Sequence, residues 1–412
     1  MFIKQVLIAC MLLPSLGVAQ SVLKAMSYNL LEFPEANPQN RELILRDILN
    51  EYEPDLFMVC ELQSPAGASL ILDASLNDTN NTYTSATFVY NQSAGGTNLQ
   101  QLLFFRRDKF VLLAEETLQT NIRDINHYTL QLNTANGQNN PVVLEIFVAH
   151  LKSSQGGSNQ AERLAMVQQF TNRLESLDPN AFVLFAGDLN LYTSTELAYI
   201  ELLDPTNAIV MADPIDTPGA WNSNINFQDV HTQSTRISSG PFGAGSGGGL
   251  DDRFDFILVS ENMLSDPNLH YLPNTYQSYG NNGNCFNLSI NDASCDGPFS
   301  QSLRDLLYNM SDHLPIVMQL ETNEAVVLQN PHFVSQNTLF LKNTLVYNQL
   351  ELNFPDTETH PMVLYNSLGQ RLMEFTVPGG ENKVIDVSFI APGLYYLKDT
   401  SGNSAPVTFL KA

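Results

Sequence analysis

Eight polar residues stand where apolar runs give way to polar sequence, and their types suit metal-assisted and acid–base chemistry. Asn29 follows KAMSY, Glu61 follows LFMVC, His150 follows EIFVA, and Asp188 and Asn190 follow FVLFA within GDLN. In the opposite order, Asp255 opens DFILVS, and Asp312 and His313 immediately precede LPIVMQL. Four carboxylates, two amides and two imidazoles, with Lys152 and Arg253 nearby and no cysteine ligand pattern, favour a hard cation: Mg²⁺ first, Mn²⁺ or Ca²⁺ as alternatives. Carboxylates this crowded repel one another unless a cation or histidinium balances them. Taken singly each residue has a plainer reading. Glu61 can be a solvated strand end, GDLN a turn, Asp312-His313 a loop, and Asp255 a surface partner of Arg253. The joint pattern is what points to a site.

For that site to exist, the flanking runs must be strands with their ends on one edge. The apolar runs predict strands over Leu23–Tyr28, Leu56–Cys60, Thr87–Tyr90, Gln101–Arg106, Val142–Ala149, Phe182–Ala186, Phe254–Ser260 and Ile316–Leu320. Helical spacing predicts Arg41–Glu51, Ser158–Leu177 and Thr193–Leu203. If the two strands opened by Asp255 and Asp312-His313 run antiparallel to the others, all six clusters share one sheet edge, where α/β proteins place their sites. Strands buried between helices imply a layered α/β core. The glycine-rich stretch SSGPFGAGSGGG at 238–249 reads as a flexible loop.

Composition bounds the rest. The 412 residues, 43% hydrophobic and 15% charged, supply a large core. Nineteen basic against forty-three acidic residues, net −24, exclude a broad basic footprint for nucleic acid, so a phosphate substrate must be met locally. Arg106, Arg107, Lys109, Lys152 and Arg236 are candidates for such a track, Arg106 and Arg107 equally for strand-end charges. Residues 1–19 have a Lys4 n-region, an apolar stretch over Val6–Leu13 and the small-x-small end Gly17-Val18-Ala19, the pattern of a secretory signal peptide. No spanning segment follows in the mature chain. Export would leave Cys60, a buried hydrophobe in its strand, and would favour a Cys285–Cys295 disulfide worth about 2–3 kcal/mol. Residues 321–332 read as a linker. From 333 to 412 helical periodicity vanishes. Short strands are expected over Thr338–Leu341, Leu350–Phe354, Met362–Asn366, Arg371–Thr376, Lys383–Val387, Gly393–Lys398 and Val407–Leu410, a small β-sandwich.

In order and in strand position, these residues resemble the endonuclease/exonuclease/phosphatase superfamily over residues 20–320. AGDLN at 186–190, RFDFILVS at 253–260 and SDHLPI at 311–316 carry the resemblance most specifically, supported by SYNLLEF at 27–33 and AHLKS at 149–153. Most members have a Gln before the metal-binding Glu; here Cys60 stands there. The resemblance implies a four-layered α/β/β/α sandwich with two mixed sheets, and a metal-dependent phosphodiesterase. It implies metal ligation by Glu61 with Asn29 and Asp312, and activation of water by Asp188. It also implies a phosphate hydrogen bond from Asn190, transition-state stabilisation by His313 supported by Asp255, and phosphate or leaving-group contact by His150.

The tail, with VLYNSLGQRLMEF at 363–375, APGLYYL at 391–397 and Lys411 near its end, is similar to the C-terminal sorting domain of type IX secretion cargo. The combined expectation is a secreted or cell-surface monomer that hydrolyses phosphodiesters, nucleic acid first among them, and meets the type IX machinery through its tail. A sphingomyelinase-like or inositol-phosphate phosphohydrolase is the alternative within the same chemistry; a lipid-directed enzyme should expose an aromatic or aliphatic hairpin, and the 205–250 segment has Trp221, Phe227 and Phe242 spread among polar residues. A non-catalytic adhesin or scaffold is the alternative outside it.

Overall fold

The computed structural model describes residues 21–95, 98–327, 340–341, 345–353, 359–380, 382–400 and 407–412. Residues 1–20, the end of the expected linker (328–332), and Thr338, Leu339 and Phe354 of the expected strands lie outside the described residues. The chain divides into two compact units, residues 1–329 and 330–412.

In chain order the first unit comprises β1 (Ser21–Phe33), α1 (Arg41–Tyr52), β2 (Leu56–Leu62), α2 (Pro65–Leu70), β3 (Tyr83–Ser85), β4 (Gln100–Arg106), β5 (Phe110–Leu118), β6 (Ile125–Leu132), β7 (Val143–His150) and α3 (Gly157–Leu174). It continues with β8 (Phe182–Asp188), α4 (Leu197–Leu202), β9 (Met211–Ala212), β10 (Asp255–Ser260), β11 (His270–Tyr271), β12 (Gln277–Ser278), α5 (Gln301–Met310) and β13 (Ile316–Thr322). One sheet has the order β11-β13-β1-β2-β4-β3, with β12 also on β13; the other runs β5-β6-β7-β8-β10-β9. Both are mixed. β1 pairs parallel with β2 and antiparallel with β13, while β7 pairs parallel with β8 and β8 antiparallel with β10.

Alternation along the central strands builds the layers. On β8, Leu184 and Ala186 join the core shared with β1, β2 and β4, whereas Val183 and Phe185 pack under Met166 and Phe170 of α3. On β10, Ile257 and Val259 face the shared core, Phe256 and Leu258 the helical side. On the other sheet the apolar faces of α1 (Leu45, Ile48, Leu49) and α5 (Leu303, Leu307, Met310) close the outer layer. The unit is therefore an α/β/β/α sandwich, one layer beyond what periodicity alone supplies.

The differences from sequence expectation are local. Thr87–Tyr90 is not a strand: after β3 the chain leaves β4, and Thr87 N donates to the Glu115 carboxylate instead. The helix expected from Thr193 begins at Leu197, because Thr193 bridges Ala220 and the Glu196 carboxylate turns back to Arg163. The β5–β6 hairpin and α5 lie outside the elements expected from the sequence. β13 extends to Thr322, and Ala325 O and Val327 N still bond the 133–135 turn, so the start of the expected linker belongs to this unit. Cys285 and Cys295 are disulfide-bonded, and Cys60 is buried.

In the second unit β14 (Phe340–Leu341), β16 (Gln349–Asn353) and β19 (Asn382–Asp386) form one sheet. β15 (Leu345–Val346), β21 (Val407–Lys411), β20 (Gly393–Asp399), β17 (Thr359–Asn366) and β18 (Arg371–Pro378) form another. Leu350, Leu352 and Ile385 from the first meet Met362, Leu364, Leu397 and Phe409 from the second in one core, an all-β sandwich. Among the described residues no helix is long and apolar enough to cross a membrane.

Candidate active site

Pairing puts the site residues together before any side chain is considered. His150 lies opposite Asp188 in the β7–β8 register, Asp255 opposite Asp188 in the β8–β10 register, and Asn29 opposite Cys60 in β1–β2. β10 and β13 do run antiparallel to their neighbours, so the ends that open them lie beside the ends that close the others.

Local irregularities then aim the side chains. Glu61 sits in a bulge: β1 and β2 pair at Asn29–Cys60 and resume at Phe33–Leu62, and the β2–β4 register shifts at the same place. Its backbone is left-handed, φ 63°, as are Leu31 and Glu32 across from it. The buried guanidinium of Arg41 holds this bulge by donating to Leu30 O, Leu31 O and Met310 O at 2.7 Å each, tying it to the end of α5 just before Asp312. Gly187 lets β8 press against β7: with φ 135°, a Cβ there would lie 1.9 Å from Ala149 O. Ser311 anchors the last cluster, its Oγ donating to Asn29 O at 2.7 Å and accepting from His313 N at 3.1 Å.

All eight residues converge. Asn29 Nδ2 donates to Glu61 Oε1 and Asp188 Oδ2, both at 3.0 Å, and lies 3.4 Å from His313 Nε2. His150 Nε2 is 3.4 Å from Asp188 Oδ2 and 3.9 Å from Glu61 Oε1. His313 Nδ1 is 2.7 Å from Asp255 Oδ2, and its Nε2 is 3.7 Å from Asp188 Oδ2. Seven of the eight are buried; Glu61 is half-buried and opens the cluster to solvent.

Burial and crowding set the electrostatics. Burial, then repulsion from Asp255 and Glu61, pushes the Asp188 carboxyl up to about 7 against the attraction of His313. Burial and the Asp312 charge raise Glu61. Burial opposes a charge on His313, but Asp255, Asp188 and Asp312 outweigh it and hold the imidazole well above its ordinary value. His150 goes the other way, lowered well below by burial and the positive charges of Arg123, His313 and Lys152.

The arrangement fits a hard cation. Ligand atoms of Glu61, His150 and Asp188 lie within 4.8 Å of one another, as do those of Asp188, Asp255 and His313. Asp312 Oδ1, Asp255 Oδ1 and His150 Nδ1 are buried without a partner, and the raised carboxylates carry a repulsion that a cation relieves.

Three expected site residues are held by hydrogen bonds within the cluster. Asn29, expected as a ligand, accepts from Leu31 N through Oδ1 at 3.0 Å, and its amide nitrogen donates to Glu61 and Asp188. Asp312 belongs to neither compact ligand group; its Oδ2 accepts from Ser246 N at 2.6 Å and Gln233 Nε2 at 3.2 Å, and only Oδ1 remains free for a cation. Asn190, expected to donate to phosphate, gives its amide to Asp188 Oδ1 at 2.8 Å and Leu151 O at 3.4 Å, orienting the carboxylate. The expected basic track does not assemble. Arg106 pairs with Asp108, Lys109 with Asp55, Arg107 bonds Tyr83 O, and Lys152 Nζ donates to Ser153 O. Arg236 stacks 3.5 Å over Phe242, and Arg253 turns to Asp213 at 2.8 Å.

Sequence reading missed Gln233, whose Nε2 is 2.6 Å from His313 Nε2; no pattern marks it. It also took 238–249 as a flexible loop. That segment packs on Asp312 through Ser246 N, and a Cβ at Gly245, φ 84°, would lie 2.9 Å from the Asp312 carboxylate.

No protein-family model matches the chain, and no curated protein does. Solved structures with a similar chain trace include D. rerio TDP2 complexed with single-strand DNA product, at 19% identity over 73% of this chain and 100% of that chain, TM-score 0.49. The human Nocturnin catalytic domain with bound sulfate is similar at 15% identity over 73% and 94%, TM-score 0.41. An endonuclease/exonuclease/phosphatase from Bacteroides vulgatus is similar at 14% identity over 73% and 99%, TM-score 0.45. Each is a likeness in the course of the backbone at low identity.

Proposed function

We propose that the first unit is a divalent-metal-dependent phosphoesterase that hydrolyses phosphodiester bonds, with nucleic acid as the leading substrate. The observation that carries this reading is the buried Asp255–His313 pair facing Asp188 beside Glu61 and His150. Glu61 would hold the cation, with Asp188 and His150 in the same compact group and the unpartnered Asp312 Oδ1 outside it; once bound, the ion supplies Lewis-acid polarisation and charge neutralisation. Asp188, its carboxylate fixed at the centre of the cluster, is placed to orient water and take its proton. Asn190 and Asn29 hold that carboxylate from its two oxygens. His313, kept charged by Asp255, offers Nε2 to the negative charge that develops on the phosphoryl oxygens. His150, favoured neutral, can contact the phosphate or assist the leaving group.

For the lipid-directed alternative, the aromatics of 205–250 are not exposed, since Trp221 and Phe242 are buried and Phe227 is half-buried, while Ile225 and Ile237 are exposed. Secretion through a signal peptide, and type IX export and surface attachment through the tail, are proposed on the sequence pattern of residues 1–19 and 363–412.

The deciding experiment assays purified protein on plasmid DNA, RNA, sphingomyelin and inositol phosphates, each with Mg²⁺, Mn²⁺, Ca²⁺ or EDTA. Metal-dependent DNA or RNA cleavage is the expected result; no turnover of any phosphoester overturns the reading.

A further inference from the structure

A cavity of about 480 Å³ lies apart from the catalytic cluster: none of the eight site residues lines it. On one side it is bounded by β12, which is held on β13 with Ser278 opposite Ile316. Two neighbouring asparagines brace the other walls. Asn281 Nδ2 donates to Gln228 O at 2.7 Å and His231 O at 3.0 Å, which fixes the turn carrying Asp229. Asn282 Nδ2 donates to Cys295 O at 2.8 Å and Phe299 O at 3.1 Å, and its Oδ1 accepts from Phe299 N at 2.9 Å. The Phe299 ring packs edge-on against Tyr279, with centroids 5.1 Å apart. The walls are thus set by the chain's own hydrogen bonds, and the volume is that of a small-molecule site.

The lining defines the chemistry of a ligand. Phe299, Pro298 and Ile215 supply apolar surface, and Asp229, Gln277 and Ser278 supply polar groups. Ser278 is 5% exposed, and its hydroxyl has no hydrogen-bond partner. A buried hydroxyl left unpaired costs free energy that a hydroxyl of a ligand would offset, and rotation about one side-chain bond is enough to present it. No lysine, arginine or histidine lines the cavity, so a phosphate or carboxylate would find no counter-charge. A carboxylate, an amide and a hydroxyl together offer acceptors and donors to neutral hydroxyl groups. The apolar surface beside them suits the C–H face of a sugar ring. We propose that this cavity binds a neutral carbohydrate, a mono- or disaccharide in size, at a site separate from the catalytic cluster.

The test titrates the full wild-type chain, Ser278→Ala and Asp229→Ala by calorimetry and by saturation-transfer NMR. The probes are the methyl glycosides of glucose, galactose, mannose and N-acetylglucosamine, with lactose and maltose; spermidine and inorganic phosphate are the charged controls. At least one sugar should bind the wild type, and each substitution should weaken it about tenfold or more. Both variants should keep the wild-type melting temperature, because Asp229 is exposed and the Ser278 hydroxyl bonds nothing within the chain. Failure of every sugar to bind, or wild-type sugar affinity in both variants, would overturn the site. Tighter binding of spermidine than of any sugar, lost in Asp229→Ala, would also overturn it by making the cavity a cation site.

Discussion

Asp255 Oδ2 lies 2.7 Å from His313 Nδ1, with both side chains buried, so the imidazole has one orientation and a counter-charge at its back. If the two act as a unit, Asp255→Asn and His313→Ala should each lower kcat about a hundredfold or more. The double variant should be little worse than His313→Ala alone. Steady-state kinetics decide it; defects that multiply mean that Asp255 works independently.

Glu61 should couple metal binding to both activity and stability. Chelation with EDTA should abolish hydrolysis, Mg²⁺ or Mn²⁺ should restore it, and added cation should raise the melting temperature of the wild type. Glu61→Gln should blunt the thermal shift and the activity together. Full activity of that variant in EDTA would remove the metal assignment.

Asp188 makes a prediction about stability against pH. Its carboxyl is pushed up to about 7 in the folded chain, against about 3.9 unfolded. A raised folded pKa contributes stability that is full below the unfolded value and lost as pH rises through the folded one. In EDTA the wild-type melting temperature should therefore fall between about pH 4 and 7, and Asp188→Asn should lose less across that window. Parallel curves for the two proteins would contradict it.

Gly187→Ala tests the close approach that aims Asp188. Its Cβ would meet Ala149 O at 1.9 Å, in a backbone with φ 135°. Stability should fall by about 2–4 kcal/mol, read from the denaturant midpoint, and residual folded protein should lose turnover. A wild-type midpoint would show that β7 and β8 are free to separate.

A chain ending at residue 329 should keep hydrolysis and lose surface delivery, since every proposed catalytic residue precedes that boundary. The checks are turnover of the purified first unit and fractionation of cells expressing each form. A folded first unit without activity would place the tail in the catalytic unit.

Strand ends were legible because a buried strand must be apolar, and polar residues at its terminus interrupt the run visibly; so Glu61, Asp188, Asp255 and His313 could be named from the chain alone. The Cys285–Cys295 spacing was readable for a similar reason, as a short loop constrains where its ends can go. Tertiary structure decided what local pattern cannot encode. The antiparallel sense of β10 and β13 rests on connections dozens of residues long. The Asn29 amide is oriented by Leu31 N, which donates to its oxygen and leaves its nitrogen facing the carboxylates. Gln233 and Ser246 reached Asp312 from a segment whose composition signals only a loop. A hydrogen bond between residues far apart in sequence leaves no periodicity, so only the folded chain shows which donor meets which acceptor.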